Sequence, residues 1–331
     1  MSQENILSVD GLKVNFYTYA GVVQAIQNVG FRIRNHSALG LVGETGCGKS
    51  VTASAILRIL PEKTARVESG TAMFKGRDIL KLSEKEMAEI RGKEISMVFQ
   101  DAMTSLNPSM KIGPQIDEAL RLHSHLSRND RKNAMIEALR SVELPDPVRI
   151  ARSYPIQLSG GMCQRCMIAM AISCNPDLLV LDEPTTALDV TIQAQIFELL
   201  KDLQKNNGLT MLIITHDLGV IAEMCDDVAV MYAGNIVEAA EITTLFSDPK
   251  HPYTVALLGA IPDVADVDEN LRTLPGTVPN LVKPPSGCRF HPRCPYVKDI
   301  CKELPPQKTF LENNHMVACH LVSTGGSGRE L

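Results

Sequence analysis

A glycine-rich stretch early in the chain carries the residue types that hold a nucleotide phosphate. The run Gly43-Glu44-Thr45-Gly46-Cys47-Gly48-Lys49-Ser50, followed by Val51, matches the phosphate-loop pattern Gly-x-x-x-x-Gly-Lys-Ser/Thr. Its glycines let backbone N–H groups converge on phosphate oxygens, and the following helix adds its positive N-terminal end. Lys49 is predicted to contact the β- and γ-phosphates, and Ser50 to bind Mg²⁺. Cys47 is expected to be a small residue tolerated in the loop rather than a redox switch.

Two adjacent carboxylates follow the most apolar stretch of the chain. Leu178 to Leu181 predicts a buried strand, and Asp182 and Glu183 come directly after it. Such pairs are common on protein surfaces, but in a chain with a phosphate loop they favour phosphoryl transfer. Asp182 is predicted to lie close to Mg²⁺, and Glu183 to orient and deprotonate the attacking water. Phosphoryl transfer needs little covalent chemistry from the protein, so position and electrostatics dominate.

Two further polar residues each end a predicted strand. Gln100 follows the run 95–99, and His216 follows the run 210–215. Either residue alone would be interpreted as structural. Their shared position after buried strands predicts a ring of side chains around the γ-phosphate, in which Gln100 contacts Mg²⁺ and water and His216 contacts the phosphate.

The elements that must position these residues alternate between strands and helices. Residues 6–16 and 22–34 predict strands of an antiparallel layer, and 38–42 predicts the buried strand before the phosphate loop. The loop is predicted to lead into a helix over 51–60 that Pro61 ends. Further helical patterns lie at 113–143, 160–174 and 192–204, and a strand pair is predicted near 70–80. Alternating strands and helices imply an α/β fold with a parallel sheet covered on both faces.

Length and composition bound the domain organisation. The 331 residues, 44% of them hydrophobic, allow one large domain or two, and the net charge of −5 argues against nucleic acid as a partner. No apolar run approaches the roughly 18 to 20 residues of a membrane span, and the polar start lacks a signal pattern, so a cytoplasmic location is expected. Nine of the 19 prolines fall between 249 and 295. This shift predicts a domain over 1–250, with a helical subdomain at about 101–175, and an extension over 251–331 held by something other than a large core.

Two motifs between the phosphate loop and His216 carry a family resemblance. Leu158-Ser159-Gly160-Gly161-Met162-Cys163-Gln164-Arg165 resembles the signature motif of ATP-binding cassette (ABC) proteins, and Pro184–Asp189 resembles the segment through their D-loop. The resemblance covers roughly residues 6–250. It implies an ABC-type nucleotide-binding domain: a RecA-like core with an antiparallel β layer and a helical subdomain, followed here by a small Cys/Pro-rich C-terminal extension.

The resemblance also implies how nucleotide is held. Two ATP molecules are sandwiched in a head-to-tail dimer, and Ser159, Gly160 and Gly161, with Gln164, face the nucleotide bound to the opposite subunit. Phe16 is the implied stacking partner for adenine, with Tyr17 and Tyr19 as close competitors. The implied ligands are therefore ATP and Mg²⁺, and the implied partner is a second ABC ATPase subunit, either identical or a paralogue.

Three longer phrases narrow the resemblance to a subfamily. Residues 99–108, residues 189–195 and the triplet His251-Pro252-Tyr253 resemble the ATP-binding subunits of dipeptide and oligopeptide importers, a subfamily that includes nickel and some sugar importers. This implies a peripheral position on the cytoplasmic face of the inner membrane, two transmembrane permease subunits, and indirectly an extracytoplasmic binding protein. A soluble ABC ATPase of DNA repair or translation, and an iron–sulfur sensor that has kept an ATPase fold, are the alternatives of another class.

Four of the nine cysteines cluster in the extension. Cys288, Cys294, Cys301 and Cys319 have the spacing C-x5-C-x6-C-x17-C, and four thiolates in a proline-rich tail predict a metal staple. A [4Fe–4S] cluster suits four cysteines, and zinc or unliganded thiols are the alternatives. The cluster is also implied by the resemblance of residues 287–295 to the C-terminal region of the peptide-importer ATPases. His291, His315 and His320 are possible substitute ligands.

The remaining cysteines are expected to be packing residues. Cys163 and Cys166 form a C-x-x-C pair, which is a redox pattern in other contexts, but they lie one turn into the predicted signature helix. Cys174 and Cys225 are likewise expected to be small core residues.

Overall fold

The computed structural model of the protein describes residues 5–185, 189–260 and 276–323. Its strands are β1 Asn5–Thr18, β2 Gly21–Arg34, β3 Ala38–Val42, β4 Ala65–Phe74, β5 Arg77–Asp78, β6 Ile95–Val98, β7 Leu178–Asp182, β8 Thr210–Thr215, β9 Asp227–Tyr232, β10 Asn235–Glu241, β11 Thr309–Phe310 and β12 Met316–Val317. Its helices are α1 Lys49–Ile56, α2 Glu84–Ile90, α3 Ala102–Ser105, α4 Ile112–His123, α5 Arg128–Ser141, α6 Pro147–Arg152, α7 Gly160–Ile172, α8 Val190–Asn207, α9 Leu218–Met224, α10 Ile242–Ser247, α11 Pro252–Leu258, α12 Asp299–Glu303 and α13 His320–Ser323.

The chain forms two compact units. Of the described residues, the first unit contains 5–33, 38–80, 214–260 and 276–323, and the second contains 34–37, 81–185 and 189–213. The phosphate loop, His216 and the cysteine-rich extension therefore belong to the first unit. Gln100, the signature motif and the two carboxylates belong to the second.

A four-stranded sheet in the order β2-β1-β4-β5 forms one layer of the first unit. β1 and β4 are antiparallel, paired from Leu7 with Phe74 to Phe16 with Ala65. Alternate side chains of β1 face the core, as expected of a half-buried strand: Leu7 and Val9 are buried before a register shift that follows Asp10, and Leu12 and Val14 are buried beyond Asp10 with the alternation moved by one residue. The predicted antiparallel layer is confirmed, and the strand pair predicted near 70–80 is formed by β4 and β5.

The other sheet of the first unit carries the phosphate loop. Its strands follow the order β11-β12-β10-β9-β3, in which β3 is parallel to β9 and the remaining pairs are antiparallel. All five residues of β3 are buried, which agrees with the apolar run of its sequence. The chain leaves this strand at Val42 and enters the loop.

The extension is built onto that sheet. Its strand β12 pairs with β10, bringing Val317 opposite Glu238 and Met316 opposite Ala239. Phe290 is almost fully buried, with its ring centroid 5.1 Å from that of Tyr232. Backbone pairing and an aromatic core thus anchor a segment for which the sequence predicted only a staple, because a two-residue strand has too short a pattern to be recognised.

The second unit combines parallel strands with a helical bundle. Its strands lie in the order β8, β7, β6, and β6 is parallel to β7 with Val98 opposite Leu181. Helices α3 to α7 pack against one another, and α7 is buried on nearly every side. The predicted helical stretch 113–143 is two helices, because Ser127 caps the start of α5 by accepting a hydrogen bond from the N–H of Asp130.

One predicted helix is shorter than expected. The helix after the phosphate loop ends at Ile56 instead of running to residue 60. Arg58 has a φ of 54°, a left-handed conformation that stops the helix before Pro61 is reached. Among the helices that the structure describes, none combines the length and apolarity that crossing a bilayer requires.

Candidate functional site

The phosphate loop has the backbone shape that its glycines predict. Gly43, Gly46 and Gly48 have φ values of 152°, 82° and 110°, and Gly48 is the N-cap of α1. Such conformations suit glycine because it lacks a Cβ. Thr45 and Ser50 are exposed at the loop and at the first turn of the helix. The loop therefore combines a glycine-dependent backbone with exposed Thr45 and Ser50 at the start of a helix, as a phosphate site requires.

Lys49 folds back over this loop. Its ammonium is buried and donates hydrogen bonds to the carbonyl oxygens of Gly43, at 2.7 Å, and Glu44, at 3.3 Å. A buried cation is stable only when paired with acceptors, and here the loop's own carbonyls supply them. The lysine is thereby held within the loop that it is predicted to serve.

Cys47 is enclosed by the loop. Its side chain is fully buried, and burial raises the pKa of its thiol, an effect that the neighbouring Lys49 only partly opposes. The thiolate is the reactive form of cysteine. These observations favour the packing role over the redox role.

In the second unit, Gln100 and Glu183 are brought together. Gln100 Nε2 donates a hydrogen bond of 2.8 Å to Glu183 Oε2. Glu183 has a φ of 46°, which is uncommon for a residue with a Cβ and is often found at functional sites. Asp182, the last residue of β7, is buried, whereas Glu183 is partly exposed. The two neighbouring carboxylates thus occupy different environments.

The signature motif opens helix α7. Ser159 is its N-cap and accepts a hydrogen bond from the N–H of Met162, while Ser159 and Gly160 are exposed. Gly161 lies against Ile192, since a Cβ there would stand 2.7 Å from Ile192 Cγ2. Gln164 is buried, and within the described residues its Nε2 atom has no hydrogen-bond partner. The exposed serine–glycine tip is the part of the motif accessible to a ligand.

The remaining predicted nucleotide contacts lie in the first unit. His216 is exposed directly after β8, and Phe16 is half-buried on β1. Tyr17 is engaged elsewhere, because its hydroxyl donates to Glu68 Oε1 at 2.6 Å and the Arg66 guanidinium lies over its ring. Tyr19 is fully exposed. Phe16 and Tyr19 thus have fewer competing contacts than Tyr17. The D-loop residues 186–188 lie outside the described part of the chain.

The four cysteines of the extension are close enough to influence one another. The pKa of Cys288 is raised to about 11, chiefly by burial and in part by the Cys294 and Cys301 thiols. The pKa of Cys319 is likewise raised to about 11 by burial and by the other three thiols. Backbone N–H groups of Phe290, Tyr296 and Leu321 act in the opposite direction on Cys288, Cys294 and Cys319 respectively. No group of three or more His, Cys, Asp or Glu in the described ranges is arranged to hold a metal ion.

Of the other cysteines, Cys163, Cys166 and Cys225 are buried packing residues as predicted, whereas Cys174 is only partly buried and is not a core residue. Cys163 and Cys166 are buried in α7, and burial raises the pKa of Cys166 to about 12, with Cys163 adding to the effect. Burial also raises the pKa of Cys174 and of Cys225. A thiol held in its protonated form is a poor nucleophile, so the C-x-x-C pattern marks a packed helix here.

A buried carboxylate organises the start of the extension. Glu238 on β10 accepts hydrogen bonds from the backbone N–H groups of Lys250 and His251 and pairs with His315 Nε2 at 2.7 Å. His251 Nδ1 accepts from the N–H of Tyr253 and so caps α11, and burial lowers its pKa to about 4. His315 is thus engaged with Glu238, and His320 Nε2 contacts the carbonyl of Leu304.

Two contacts to the phosphate loop were not predicted from the sequence. The hydroxyl of Tyr253 accepts a 3.0 Å hydrogen bond from the N–H of Glu44, and Arg293 Nη1 pairs with Glu44 Oε2 at 2.9 Å. The triplet His251-Pro252-Tyr253 was a signal for the tyrosine. Nothing local in the sequence indicates the arginine, because it lies 249 positions from its partner.

Comparison with known proteins agrees with this geometry. The profile of a family described as "ABC transporter" matches residues 26–186, and that of "Oligopeptide/dipeptide transporter, C-terminal region" matches residues 237–301. A probable peptide ABC transporter ATP-binding protein of Sinorhizobium fredii is 49% identical, covering 95% of this chain and 94% of its own. The dipeptide transport ATP-binding protein DppD of Bacillus subtilis is 46% identical, covering 96% and 95%.

Solved structures confirm the fold. A dimeric post-hydrolysis state of the ATP-binding cassette MJ0796, bound to ADP and Pi, matches with a TM-score of 0.64 and 26% identity, over 71% of this chain and 98% of that one. The chain therefore belongs to the ATP-binding proteins of the ABC transporters. Within that class it belongs with the oligopeptide and dipeptide transporters, whose C-terminal region it carries. The predicted ABC cassette fold is confirmed.

Proposed function

We propose that the chain is the ATP-hydrolysing motor subunit of an importer for dipeptides or oligopeptides. The observation that carries the proposal is the coexistence of a complete ATPase motif set with the oligopeptide/dipeptide C-terminal region in one chain. The names of the relatives, which specify peptides and dipeptides, favour this substrate over nickel or another small solute. All the motif residues of a hydrolase are present, which favours a motor over a sensor.

The proposed roles follow the chemistry of each side chain. Lys49 neutralises β- and γ-phosphate oxygens, and the loop N–H groups hold them in place. Ser50 and Asp182 supply a hydroxyl and a carboxylate, the oxygen donors that Mg²⁺ prefers. Bound Mg²⁺ neutralises charge on the phosphate oxygens. Each of these groups acts on the triphosphate before any bond is broken.

Hydrolysis itself is assigned to the second unit and His216. Glu183 takes the proton of the attacking water, and Gln100, which donates to its carboxylate, fixes the orientation of that base. His216 contacts the γ-phosphate, and Phe16 stacks on adenine. The exposed tip Ser159–Gly161 contacts the nucleotide held by a second ATPase subunit.

The proposed assembly contains two ATPase subunits and two transmembrane permeases. We place the chain peripherally on the cytoplasmic face of the inner membrane, with an extracytoplasmic binding protein delivering the substrate to the permeases. Closure of the two ATPase subunits around two ATP molecules pulls on the permeases, and hydrolysis resets them. The acidic net charge agrees with a protein partner rather than nucleic acid.

Transport measurements test this function directly. The complex captured from membranes through this chain is reconstituted in vesicles with its binding protein, and ATP-dependent uptake of labelled dipeptide, oligopeptide and Ni²⁺ is compared. The wild-type complex is expected to take up peptide, and the Glu183→Gln complex is expected to lose this uptake. Uptake of Ni²⁺ but not peptide would contradict the substrate assignment, and absence of membrane partners would contradict the transport role.

For the extension we propose a [4Fe–4S] cluster held by Cys288, Cys294, Cys301 and Cys319. Two observations support the fit: the thiols lie within electrostatic reach of one another, and three of them interact with backbone N–H groups two residues farther along the chain. Hydrogen bonds to the sulfurs are a recurrent feature of such sites. The proposed role is structural.

Metal analysis decides between the alternatives. Anaerobically purified protein is expected to be brown, with about four irons and four sulfides per chain. The Cys301→Ala variant is expected to lose iron and colour, whereas Cys174→Ala, which lies outside the quartet, keeps both. Colourless protein that contains zinc, or no metal, would reject the cluster.

A further inference from the structure

The loop between Cys288 and Cys294, here called the cysteine loop (residues 288–294), contacts the phosphate loop directly and through a neighbouring turn. The direct contact is to Glu44, the second residue of the glycine pattern, and the indirect one is to the turn between β9 and β10. Each contact is made by an arginine that adjoins a cysteine: Arg289 follows Cys288, and Arg293 precedes Cys294. Arg289 is buried, and the side chain of Arg293 is only 7% exposed. A buried guanidinium group is stable only when hydrogen-bond acceptors or an opposite charge pair with it.

Glu44 is the centre of the first contact. Its backbone N–H donates to the hydroxyl of Tyr253 at 3.0 Å, and its carboxylate pairs with Arg293 at 2.9 Å. Its carbonyl oxygen accepts from Lys49 Nζ at 3.3 Å and from the N–H of Cys47 at 3.2 Å. All the polar groups of this residue are therefore engaged, and the side-chain contact comes from the extension.

The second contact runs through backbone. Arg289 Nη1 donates to the carbonyl of Ala233 at 2.6 Å and to that of Gln24 at 3.1 Å. The next residue of the turn, Gly234, donates its N–H to the carbonyl of Cys47 inside the phosphate loop. Arg293 thus contacts Glu44 directly, and Arg289 contacts the turn that is hydrogen-bonded to Cys47.

We propose that Arg293 is a positioning residue for nucleotide binding: through Glu44 it holds the phosphate loop in its binding conformation, and it makes ATP affinity depend on the cysteine loop. The side chain of Arg293 is 7% exposed and that of Glu44 is 28% exposed. Removing one partner of so shielded a pair is costly, because the charge that remains is only partly solvated. Loss of either partner leaves a charge without its counterpart beside the loop that must bind phosphate. This inference deepens the proposed ATPase function and rests on it.

The test compares ATP affinity in the full-length chain for the wild type, R293A, R293K, E44Q and the double variant R293A/E44Q. A fluorescent ATP analogue is titrated, and the unfolding temperature of each nucleotide-free variant is measured. R293A and E44Q are expected to weaken ATP binding about 5- to 50-fold, within the usual range of coupling between sites. R293K is expected to bind ATP with most of the wild-type affinity. The double variant R293A/E44Q is expected to bind ATP at least as tightly as whichever single variant has the lower affinity.

Further measurements distinguish a role of Arg293 in nucleotide binding from a role only in the stability of the fold. The KM for ATP is expected to rise while turnover at saturating ATP stays close to that of the wild type, because the loss is in binding. K302Q, which removes an exposed charge of the same extension paired with Asp299, is expected to change neither quantity. Equal ATP affinity of wild type, R293A and E44Q would overturn the inference. So would additive effects of the two substitutions.

The cysteine loop is tested in the same assay. The double variant C288S/C294S is expected to weaken ATP binding in the wild-type background and to add nothing when R293A is already present. Additive losses in the combined variant would show that the loop does not act through Arg293. ATP binding by the wild-type chain is measured before any variant. A wild-type chain that binds no ATP would contradict the proposed ATPase function, whereas wild-type binding that R293A leaves unchanged would contradict only this inference.

Discussion

Replacing Glu183 by glutamine is expected to lower ATP turnover by about 10² to 10⁴, the range typical of a lost general base. The substitution preserves the shape of the side chain and an oxygen that can accept the hydrogen bond from Gln100 Nε2. It removes the group that accepts the proton of water. Chemistry should therefore fail while ATP binding persists, so that the closed nucleotide-bound dimer accumulates. Phosphate release in a single turnover measures the effect.

Glu198→Gln is the matched control for this substitution. Glu198 lies on α8 in the same unit, is exposed, and points away from the buried face of its helix. Turnover in this variant should equal that of the wild type. If Glu183→Gln also hydrolyses ATP at a near-normal rate, Glu183 is not the base, and another group must take the proton.

Replacing Gly43 by alanine is expected to weaken productive ATP binding by about 10²-fold. Gly43 has a φ of 152°, and a Cβ at this position would stand 2.1 Å from the carbonyl oxygen of Met231 and 2.9 Å from Cys47 Sγ. The first neighbour is backbone of the adjacent strand β9 and cannot move aside cheaply. The phosphate loop must therefore shift, and a misplacement of about 1 Å costs about 10²-fold. Titration with ATP measures the loss.

Gly76→Ala is the control that distinguishes a steric clash of the new Cβ from the strain of a positive φ. Gly76 also has a positive φ, of 77°, but nothing lies within 4 Å of its Cβ position, and it belongs to the turn before β5. This variant is expected to lose about 1 kcal/mol of stability and to bind ATP normally. Unfolding temperatures of both variants identify any loss of fold. Wild-type affinity in a folded Gly43→Ala protein would refute the geometric argument.

Much of the site was predictable because its signals are local. The phosphate loop joins a buried five-residue strand to a helix, and the spacing of its glycines alone predicts the backbone that the structure has. Asp182 ends a wholly apolar strand, and Ser159 has the residue type of an N-cap. Each of these features is encoded within about ten consecutive residues, where hydrophobic period and capping chemistry act.

What the sequence did not predict depends on contacts between distant segments. Arg293 and Glu44 are 249 positions apart, and neither periodicity nor composition links them. The early end of α1 results from the left-handed Arg58, a conformation that residue type does not require at that position. The composition of the extension indicated its proline and cysteine content, but it did not predict the strand β12. A strand of two residues is defined by its pairing with β10 and has no sequence pattern of its own.

That short strand decides where the protein can be cut. Removing everything after residue 250 would leave the outer edge of β10 with bare amide and carbonyl groups and would strip the interior Glu238 of its imidazole counterpart from His315. Unpaired sheet edges can pair with strands of other chains. A buried carboxylate without a partner is destabilising, because its burial removes it from water. A trimmed cassette made for crystallisation or ATPase assays would consequently be prone to self-association, so the tail belongs in any preparation meant to report the behaviour of the intact motor.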